Sequence, residues 1–151
     1  MQTQALRTEP SSSFSGARVF TLQSDQIESA WGWIRKLLER VPSYDWTEAD
    51  VKRDLMEGKA QLWGATGETG EPLVKGIWIT RIENSHSRRW GVVWIAAGNP
   101  VEEGLELFQK HTEPWFKSMG CEAVHIYGRA GWQKVLPGYE EKARVLVKEL
   151  R

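Results

Sequence analysis

The sequence predicts an α+β domain of three layers, in which a mixed and mostly antiparallel central sheet carries helices on both faces. Two amphipathic helical patterns follow a first strand, and from Lys59 onward the apolar residues recur at every second position instead of every third or fourth. The stretch Trp90–Ala97 is nearly all apolar, which is typical of a central strand that is buried on both faces. A further helix and shorter strands complete the pattern.

The N-terminal third predicts a strand and a helix. Arg18–Gln23 alternates and contains β-forming residues, so it is predicted as the first strand. Asp25 is a favoured N-cap residue and Glu28 follows three positions later, so we expect a helix to begin there. Its apolar residues recur at spacings of three and four. The helix should end before Pro42, because the residue before a proline is disfavoured in a helix.

A second helix and two strands come next. Thr47 with Asp50 three residues later is another capping pattern, and Gly58 is placed to end this helix. Alternating residues then predict strands at Ala60–Thr66 and Leu73–Glu83, separated by a turn rich in Gly and Pro. These strands precede the buried central strand, so we expect three consecutive strands in an antiparallel meander.

The C-terminal third completes the predicted order of elements. Val101–Ser118 reads as a helix that Pro114 should kink, because proline lacks the N–H of the helical ladder. A strand at Ala123–Tyr127, a short helical turn at Gly131–Leu136 and a last strand at Ala143–Glu149 are predicted after it.

Length and charge narrow the class of protein. Residues 1–15 form a polar N-terminal tail, and residues 16–151 have the size of a single domain. Lys plus Arg equals Asp plus Glu at 20 each, and the signs are interspersed, which argues against a nonspecific nucleic-acid or anionic-membrane partner. No apolar run approaches a membrane span or a secretory signal, so we expect a soluble, cytoplasmic protein.

Cysteine and histidine usage excludes two kinds of site. A single cysteine, Cys121, cannot form an internal disulfide. The three histidines (His86, His111 and His125) are far apart in the sequence and have no convergent partners at ligand spacing. We therefore expect no metal site.

Nine tryptophans are more than a core of this size requires. Tryptophan buries a large area but needs a partner for its indole N–H, so it collects in cores and at interfaces. Trp31 and Trp33 are two residues apart, about 200° around a helix, so both cannot face one core. Either a Trp-rich core or a protein interface, with another protein or a second copy, explains the excess. The candidate interface residues are Trp31, Trp33, Tyr44, Trp46 and Trp63.

The order of elements and two C-terminal segments resemble the GNAT superfamily of acetyl-CoA-dependent N-acetyltransferases. Tyr127–Trp132 (YGRAGW) stands where that family has a strand, a short helix and a Gly-aromatic pair, and Arg144–Leu150 looks like its last strand. The likeness covers residues 17–150 in topology and about the last thirty in local pattern. The run Gly120–Leu150 also resembles small GNAT-like proteins of tailed bacteriophages, some of them acetyltransferases and others virion proteins.

The resemblance implies a pyrophosphate site between the central strand and the next helix, but the local residues do not suit it. In the matching stretch Ala97–Gly104, Pro100 removes a needed N–H donor. Glu102 and Glu103 lie in the first helical turn, where they would repel a pyrophosphate. If the protein is active, cofactor contacts would come from Ile95, Ala96, Ala97, Gly98 and Gly104.

The resemblance also implies catalytic groups. GNAT enzymes often use a C-terminal tyrosine as general acid toward the leaving thiolate and a glutamate or an ordered water as base. Tyr139 is the nearest candidate for the acid and Tyr127 the next. Glu83, on the strand before the central one, is the best-placed candidate for the base.

Two functions remain open. The first is a GNAT-fold protein with a degenerate acetyl-CoA site and no cofactor, serving as a non-catalytic binding or structural component, incorporated in a phage virion. The second is an acetyl-CoA-dependent N-acetyltransferase. The two are distinguished by the space between the strands Trp90–Ala97 and Ala123–Tyr127, where active members of the family admit the pantetheine arm. If Trp94 fills that space, the cofactor has no path.

Overall fold

The central element is a mixed sheet. The computed structural model describes residues 9–10, 18–43, 45–66, 74–98, 104, 106–127 and 136–150. Within these residues the strands lie side by side in chain order. Each neighbouring pair is antiparallel except the last, which is parallel. The strands are β1 (Glu9–Pro10), β2 (Arg18–Leu22), β3 (Gln61–Thr66), β4 (Val74–Ser85), β5 (Arg88–Gly98) and β6 (Ala123–Ile126).

Helices lie on both faces of this sheet, so the predicted α+β class with a mixed, mostly antiparallel sheet is confirmed. A short 3-10 turn, Ser24–Gln26, leads from β2 into the first helix. The other helices are α1 (Ile27–Leu38), α2 (Glu48–Met56), a π-helical turn (Phe108–Thr112) and α3 (Glu113–Ser118). Residues 104, 106 and 107, which precede the π-helical turn, are helical as well.

The 3-10 turn that leads into α1 is capped by a different pair of residues from the one expected. The backbone N–H of Gln23 donates to the side-chain oxygen of Gln26 at 2.7 Å. This pair takes the place expected for Asp25 and Glu28, because the 3-10 turn starts the helical segment earlier than the sequence pattern predicts. Glutamine serves at the third helical position as glutamate does.

The start and end of α2 are as predicted. The N–H of Thr47 donates to Asp50 Oδ2 at 3.0 Å, and the N–H of Asp50 donates to Thr47 Oγ1 at 3.1 Å. These hydrogen bonds favour the charged carboxylate and hold the pKa of Asp50 below its usual value. Gly58 follows the helix with φ 76°, which glycine adopts without strain.

Two clusters of buried side chains lie on opposite faces of the sheet. The α1–α2 cluster consists of Ile27, Ala30, Ile34, Leu38, Val51, Leu55, Ala60, Leu62, Ile77, Ile79 and Ile95. The α3 cluster consists of Val19, Trp63, Ala65, Trp78, Val93, Leu107, Phe108, Trp115 and Phe116. Because side chains alternate along a strand, β3 and β4 contribute to both clusters.

The expected kink at Pro114 takes the form of a change in helix type. Phe108–Thr112 forms a π-helical turn, and Pro114 lies in the first turn of α3 directly after it. A proline in a regular α-helix would leave one carbonyl without its N–H partner, whereas the wider turn moves that position to the start of a new helical segment. Both segments pack on the α3 cluster.

One prediction is incomplete at the N-terminus. Within the segment expected to be a polar tail, Glu9 and Pro10 form β1 and pair with Val19 and Arg18 of β2. A proline is tolerated there because an edge strand leaves one row of backbone groups without a strand neighbour. The other residues of segment 1–15 lie outside the described residues.

The predicted last strand is wrong. Residues 139–150 contain neither helix nor strand, so Ala143–Glu149 does not join the sheet. Alternation and β-branched residues indicate a segment able to form a strand, but a strand also needs a hydrogen-bonded neighbour. Of the predicted helical turn Gly131–Leu136, the last residue alone lies in the described part of the chain, and there it is buried.

Candidate cofactor-binding site

The parallel strands β5 and β6 pair over a short distance only. Their paired residues run from Trp90 with Ala123 to Val93 with Ile126. Beyond that point β5 continues for Trp94–Gly98, of which Ile95–Gly98 pairs with β4 on one side. On the β6 side this part of β5 has no strand partner among the residues that the structure describes. We call this stretch of β5, Trp94–Gly98, the free edge.

A β-bulge begins the free edge. Ile95 pairs with Ile79 and Val93 pairs with Thr80, which leaves Trp94 as an extra residue on β5. Trp94 packs half-buried against the α1–α2 cluster, to which the next residue, Ile95, also belongs. The bulge thus places two consecutive residues of β5 on the same face of the sheet. The Arg81 guanidinium carbon lies 4.2 Å from the centre of that ring. Trp94 therefore lies on the α1–α2 face of the sheet.

Four of the five residues predicted to contact the cofactor lie on the free edge. Ile95 is buried, Ala96 and Ala97 are half-buried, and Gly98 is exposed with φ 110°, a backbone conformation that favours glycine. Gly104 lies in a helical segment some residues further on. The intervening residues 99–103, the middle of the predicted pyrophosphate stretch Ala97–Gly104, lie outside the described residues.

Backbone groups are the polar atoms that the free edge offers. Along a strand, successive residues direct their N–H and C=O groups to opposite edges. Since one edge of Ile95–Gly98 is taken by β4, alternate residues direct their groups to the other side. An extended ligand that carries amides fits such an edge as an additional strand would.

Tyr139, the predicted acid, is engaged elsewhere. Its hydroxyl donates to Glu113 Oε2 at 2.6 Å, and the same carboxylate accepts from Gln109 Nε2 at 3.2 Å. Burial and the adjacent carboxylate raise the pKa of Tyr139 far above its ordinary value. The phenol is thus a weaker acid than free tyrosine, and its proton points at Glu113. Tyr139 is therefore an anchor between the C-terminal segment and α3.

Glu83, the predicted base, is held by an ion pair. Its Oε2 lies 3.1 Å from an Arg81 guanidinium nitrogen, and Glu83 faces Trp90 in the strand register. Arg81 packs on Trp94 at the α1–α2 face, whereas Tyr139 packs against the α3 cluster. The structure therefore does not bring Glu83 and Tyr139 together. Tyr127, the second candidate for the acid, is exposed directly after β6.

The most buried tryptophans belong to the core. Trp63 is 1% exposed, so the expectation that it lies at an interface is wrong. Its indole N–H donates to Thr80 Oγ1 at 3.0 Å, and that of Trp78 donates to Thr112 Oγ1 at 2.8 Å. The two rings stack at 6.4 Å, and Trp115 meets Trp63 edge-on at 5.4 Å. Sequence analysis missed both threonines, although an excess of tryptophan itself signals a need for buried acceptors.

The other interface candidates lie on the opposite side. Trp31, Trp33 and Trp46 are half-buried and pack against the α1–α2 cluster. Trp31 also lies 5.8 Å below the ammonium group of Lys52. The two helical tryptophans therefore lie at the border of one core and do not point to opposite sides of it. Tyr44 lies outside the described residues.

The described residues contain neither a metal-ligand cluster nor a membrane-spanning helix. There, no group of three or more His, Cys, Asp or Glu side chains is arranged to hold a metal ion. No described helix has the length and apolar character needed to cross a membrane. Cys121 is half-buried, and burial raises the pKa of its thiol.

Comparison with known proteins identifies the fold. No protein-family model and no curated protein matches the sequence. Among solved structures, an aminoglycoside acetyltransferase from an uncultured soil metagenomic sample, in complex with sisomicin, has a TM-score of 0.65 at 13% identity, covering 93% of this chain and 99% of that one. A GNAT family acetyltransferase of Staphylococcus aureus has a TM-score of 0.63 at 14% identity, covering 89% and 98%.

A third solved structure is the acetyltransferase AAC(6')-Iy in complex with a bisubstrate analogue that contains CoA. Its TM-score is 0.66 at 15% identity, covering 91% of this chain and 99% of that one. At such low identity the likeness shows the fold alone. The chain has the fold of the GNAT acetyltransferases, as the resemblance of its sequence to that family implies.

Proposed function

We propose that this protein binds acetyl-CoA along the free edge of β5 and transfers the acetyl group to an amine. The observation that carries the proposal is the register of β5, which runs past its last pair with β6 and keeps Trp94 on one face of the sheet. A pantetheine arm contains amides, and these can pair with a strand edge as a peptide does. The GNAT fold supports the same function.

The residues around the free edge have separate tasks in this proposal. Acetyl-CoA supplies an activated thioester when bound. The alternate backbone groups of Trp94–Gly98 hold and orient the arm, and the bulge sets where the reacting end stops. Arg81 and Trp94 form the wall on the α1–α2 side, where an acceptor amine would approach.

Proton movement in this scheme does not depend on Tyr139. The amine nitrogen bonds to the carbonyl carbon, the carbon–sulfur bond breaks, and the proton lost by nitrogen goes to water or to the leaving thiolate. The Tyr139 hydroxyl already donates a hydrogen bond to Glu113. Tyr139 therefore acts as a positioning residue that holds the C-terminal segment on α3. Glu83, paired with Arg81, is available as a carboxylate near the acceptor side of the sheet.

A non-catalytic binding role is the second candidate, as a virion-associated component of a phage or of another assembly. The observation that favours it is the hydrogen bond from Tyr139 to Glu113, which occupies the expected acid. Pro100, Glu102 and Glu103 in the predicted pyrophosphate stretch favour it as well. This role needs no acetyl-CoA, which makes ligand binding the decisive measurement.

Isothermal titration of acetyl-CoA into the full chain tests the first proposal. We expect a dissociation constant in the micromolar range and a raised melting temperature. Gly98→Ala should weaken binding, because φ 110° at the end of the free edge is strained for alanine and the chain must shift there. Gly58→Ala is the matched control, since it adds the same side chain at φ 76°, at the end of α2.

The outcomes separate the two functions. Binding that Gly98→Ala weakens and Gly58→Ala spares supports the free edge as the site. Absence of heat and of a thermal shift at millimolar acetyl-CoA would overturn the proposal and leave the non-catalytic role. Thiol release during incubation with aminoglycosides, polyamines and peptide N-termini then tests transfer, and binding without release would again leave the non-catalytic role.

A further inference from the structure

The α1–α2 face of the sheet carries polar side chains beside its apolar cluster. Glu83 of β4 faces Trp90 of β5, and in the next row on this face Arg81 faces Val92. His125 of β6 lies on the other side of Val92. Paired residues of neighbouring strands direct their side chains to the same face, and Arg81 stacks on a ring of the α1–α2 side. We call Arg81, Glu83, Trp90 and His125 the polar patch.

Two nitrogen atoms of the polar patch are buried N–H donors that lack an acceptor. Neither Arg81 Nε nor Trp90 Nε1 has a hydrogen-bond partner among the residues that the structure describes. Buried polar groups in folded proteins are nearly always hydrogen-bonded, so an unpaired buried donor calls for an explanation. An oxygen acceptor supplied by a ligand would complete both.

Glu83 shows which kind of acceptor the polar patch receives. Its Oε2 lies 3.1 Å from an Arg81 guanidinium nitrogen, and it faces Trp90 in the register, so this carboxylate lies beside both donors. The side chains of Arg81 and Glu83 are 26% and 36% exposed. An ion pair at such exposure contributes little to stability. A second carboxylate can therefore replace Glu83 on Arg81 at small cost.

Stacking holds both donors in place. The Arg81 guanidinium carbon lies 4.2 Å from the centre of the Trp94 ring. The Trp90 ring stacks on His125 with 4.8 Å between ring centres and 18° between ring planes. Donors that are already oriented lose little freedom when a ligand binds, which favours binding.

The polar patch lies next to the free edge. Trp94, on which Arg81 stacks, is the first residue of that edge. The last pair of β5 and β6, Val93 with Ile126, follows directly after the pair that contains His125. The patch and the free edge are thus neighbours in the sheet.

We infer that the polar patch binds the carboxylate of the acetyl acceptor, so that the acceptor is an amine that also carries a carboxylate, as a free amino acid does. The ligand carboxylate replaces Glu83 on the Arg81 guanidinium and accepts the N–H groups of Arg81 Nε and Trp90 Nε1. The acceptor amine then lies close to a thioester bound along the free edge. The role as acceptor rests on the proposed acetyl transfer, whereas the carboxylate site does not.

Ligand-observed NMR with the full chain tests the carboxylate site without acetyl-CoA. The probes are N-acetyl-alanine, N-acetyl-leucine and N-acetyl-phenylalanine, each compared with its primary amide, which differs in the carboxylate alone. We expect the acids to bind about tenfold more tightly than the amides, because hydrogen bonds to a charged group are the stronger ones. Equal affinities, or no binding of the acids at millimolar concentration, would overturn the inference.

Two variants of the polar patch should change the affinity for the acids in opposite directions. Trp90→Phe keeps a ring that can stack on His125 but removes the N–H donor, so the acids should bind about tenfold more weakly. Glu83→Gln should tighten their binding, because no internal carboxylate then competes for Arg81. A Trp90→Phe protein with unchanged affinity, or weaker binding in Glu83→Gln, would contradict the assignment.

Trp33→Phe is the matched control for Trp90→Phe. It also removes one indole N–H from a half-buried tryptophan, but Trp33 packs edge-on against Phe20 of β2, at the other end of the sheet from β6. The affinities for acids and amides should both be unchanged in this variant. Equal weakening in Trp33→Phe and Trp90→Phe would show a general effect on the fold and overturn the inference.

Rates of acetyl transfer separate this inference from the proposed function. Thiol release from acetyl-CoA should be faster with an amino acid than with its primary amide, and Trp90→Phe should raise the KM for the amino acid. Transfer to amides at the same rate would overturn the inference and leave the proposed transfer in place. Preferential binding of the acids without transfer to any amine would overturn the proposed function and the role as acceptor, and would leave the carboxylate site.

Discussion

The α3 face of β3 and β4 differs from the free edge of β5 in how its tryptophans are held. On the α3 face, Trp63 and Trp78 stack on each other and give their N–H groups to Thr80 and Thr112, two threonines with no exposed surface. On β5, Trp94 packs against the α1–α2 cluster at a bulge, and from there to Gly98 the strand has no second strand neighbour in the described residues. The tryptophans of the α3 face are thus stacked and hydrogen-bonded within the core, whereas Trp94 is half-buried on the opposite face beside the free edge.

Replacing Trp63 in the α3 cluster should cause the largest loss of stability. Trp63→Ala removes a fully buried ring that contacts Trp78 and Trp115. We expect the free energy of unfolding to fall by about 3–5 kcal/mol, as for other buried aromatic truncations. Urea denaturation measures the loss, and Trp33→Ala, at a half-buried position, is the control with a smaller effect. An equal loss in the two variants would contradict the difference in burial.

The threonine hydroxyls that accept the indole N–H groups should themselves contribute to the free energy of unfolding. Thr112→Val keeps the shape of the side chain but leaves the buried Trp78 N–H without its acceptor. A buried donor left unpaired costs about 1–3 kcal/mol of stability. Thr112→Ser, which keeps the hydroxyl, should recover most of that loss in the same denaturation experiment. If the valine and serine variants are equally stable, the hydrogen bond contributes nothing.

A structural feature of these two regions could be predicted from the sequence when it is caused by residues that are neighbours in the chain. The periodicity of α1, the Thr47–Asp50 cap of α2 and the all-apolar β5 are properties of neighbouring residues, and each was predictable. The bulge at Trp94 was not, because an extra residue is defined only by the register with β4. The pairing of Tyr139 with Glu113 joins residues 26 apart and has no sequence pattern.

The predicted last strand also shows that local sequence does not determine a long-range pairing. The residues of Ala143–Glu149 are strand-forming, and the sequence pattern reports that propensity correctly. What the pattern cannot report is which strand provides the hydrogen-bonded neighbour. The nine tryptophans posed an equivalent problem, because tryptophan is favoured both in a core and at an interface. Trp63 and Trp78 lie in the core because Thr80 and Thr112 accept their indole N–H groups there, and these pairings cannot be read from the sequence.

Tyr139→Phe separates the anchoring of the C-terminal segment from a catalytic role of Tyr139. The variant loses a hydrogen bond to a carboxylate, so we expect a loss of about 1 kcal/mol in the free energy of unfolding. The acetyl-transfer rate should fall by far less than the roughly 10²–10⁴-fold that removal of a general acid causes. A decrease within that range would show that Tyr139 is the acid after all.

The pH dependence of the same variant gives an independent check. The pKa of Tyr139 is raised in the folded state, so its contribution to stability is complete below the pKa of an unfolded tyrosine, about 10. It is lost as the pH rises above that value, because ionisation is then easier in the unfolded chain. Thermal melts between neutral pH and strongly alkaline pH should show a steeper decline for the natural chain than for Tyr139→Phe. Equal slopes would mean that the phenol ionises as readily in the folded chain.

Arg81→Met should give the smallest change in stability and a selective change at the free edge. Arg81 stacks on Trp94 and pairs with Glu83 at the partly exposed α1–α2 side. Cation–π and ion-pair contacts at such positions each contribute about 0.5–1 kcal/mol, and methionine retains part of the packing. Glu83→Gln removes the ion pair and keeps the stacking, so it is the matched control. If Arg81 holds Trp94 away from the ligand path, acetyl-CoA affinity falls in Arg81→Met and persists in Glu83→Gln. An equal affinity in all three proteins would show that the bulge alone keeps the free edge open, which makes the backbone of β5, and not its side chains, the determinant of the site.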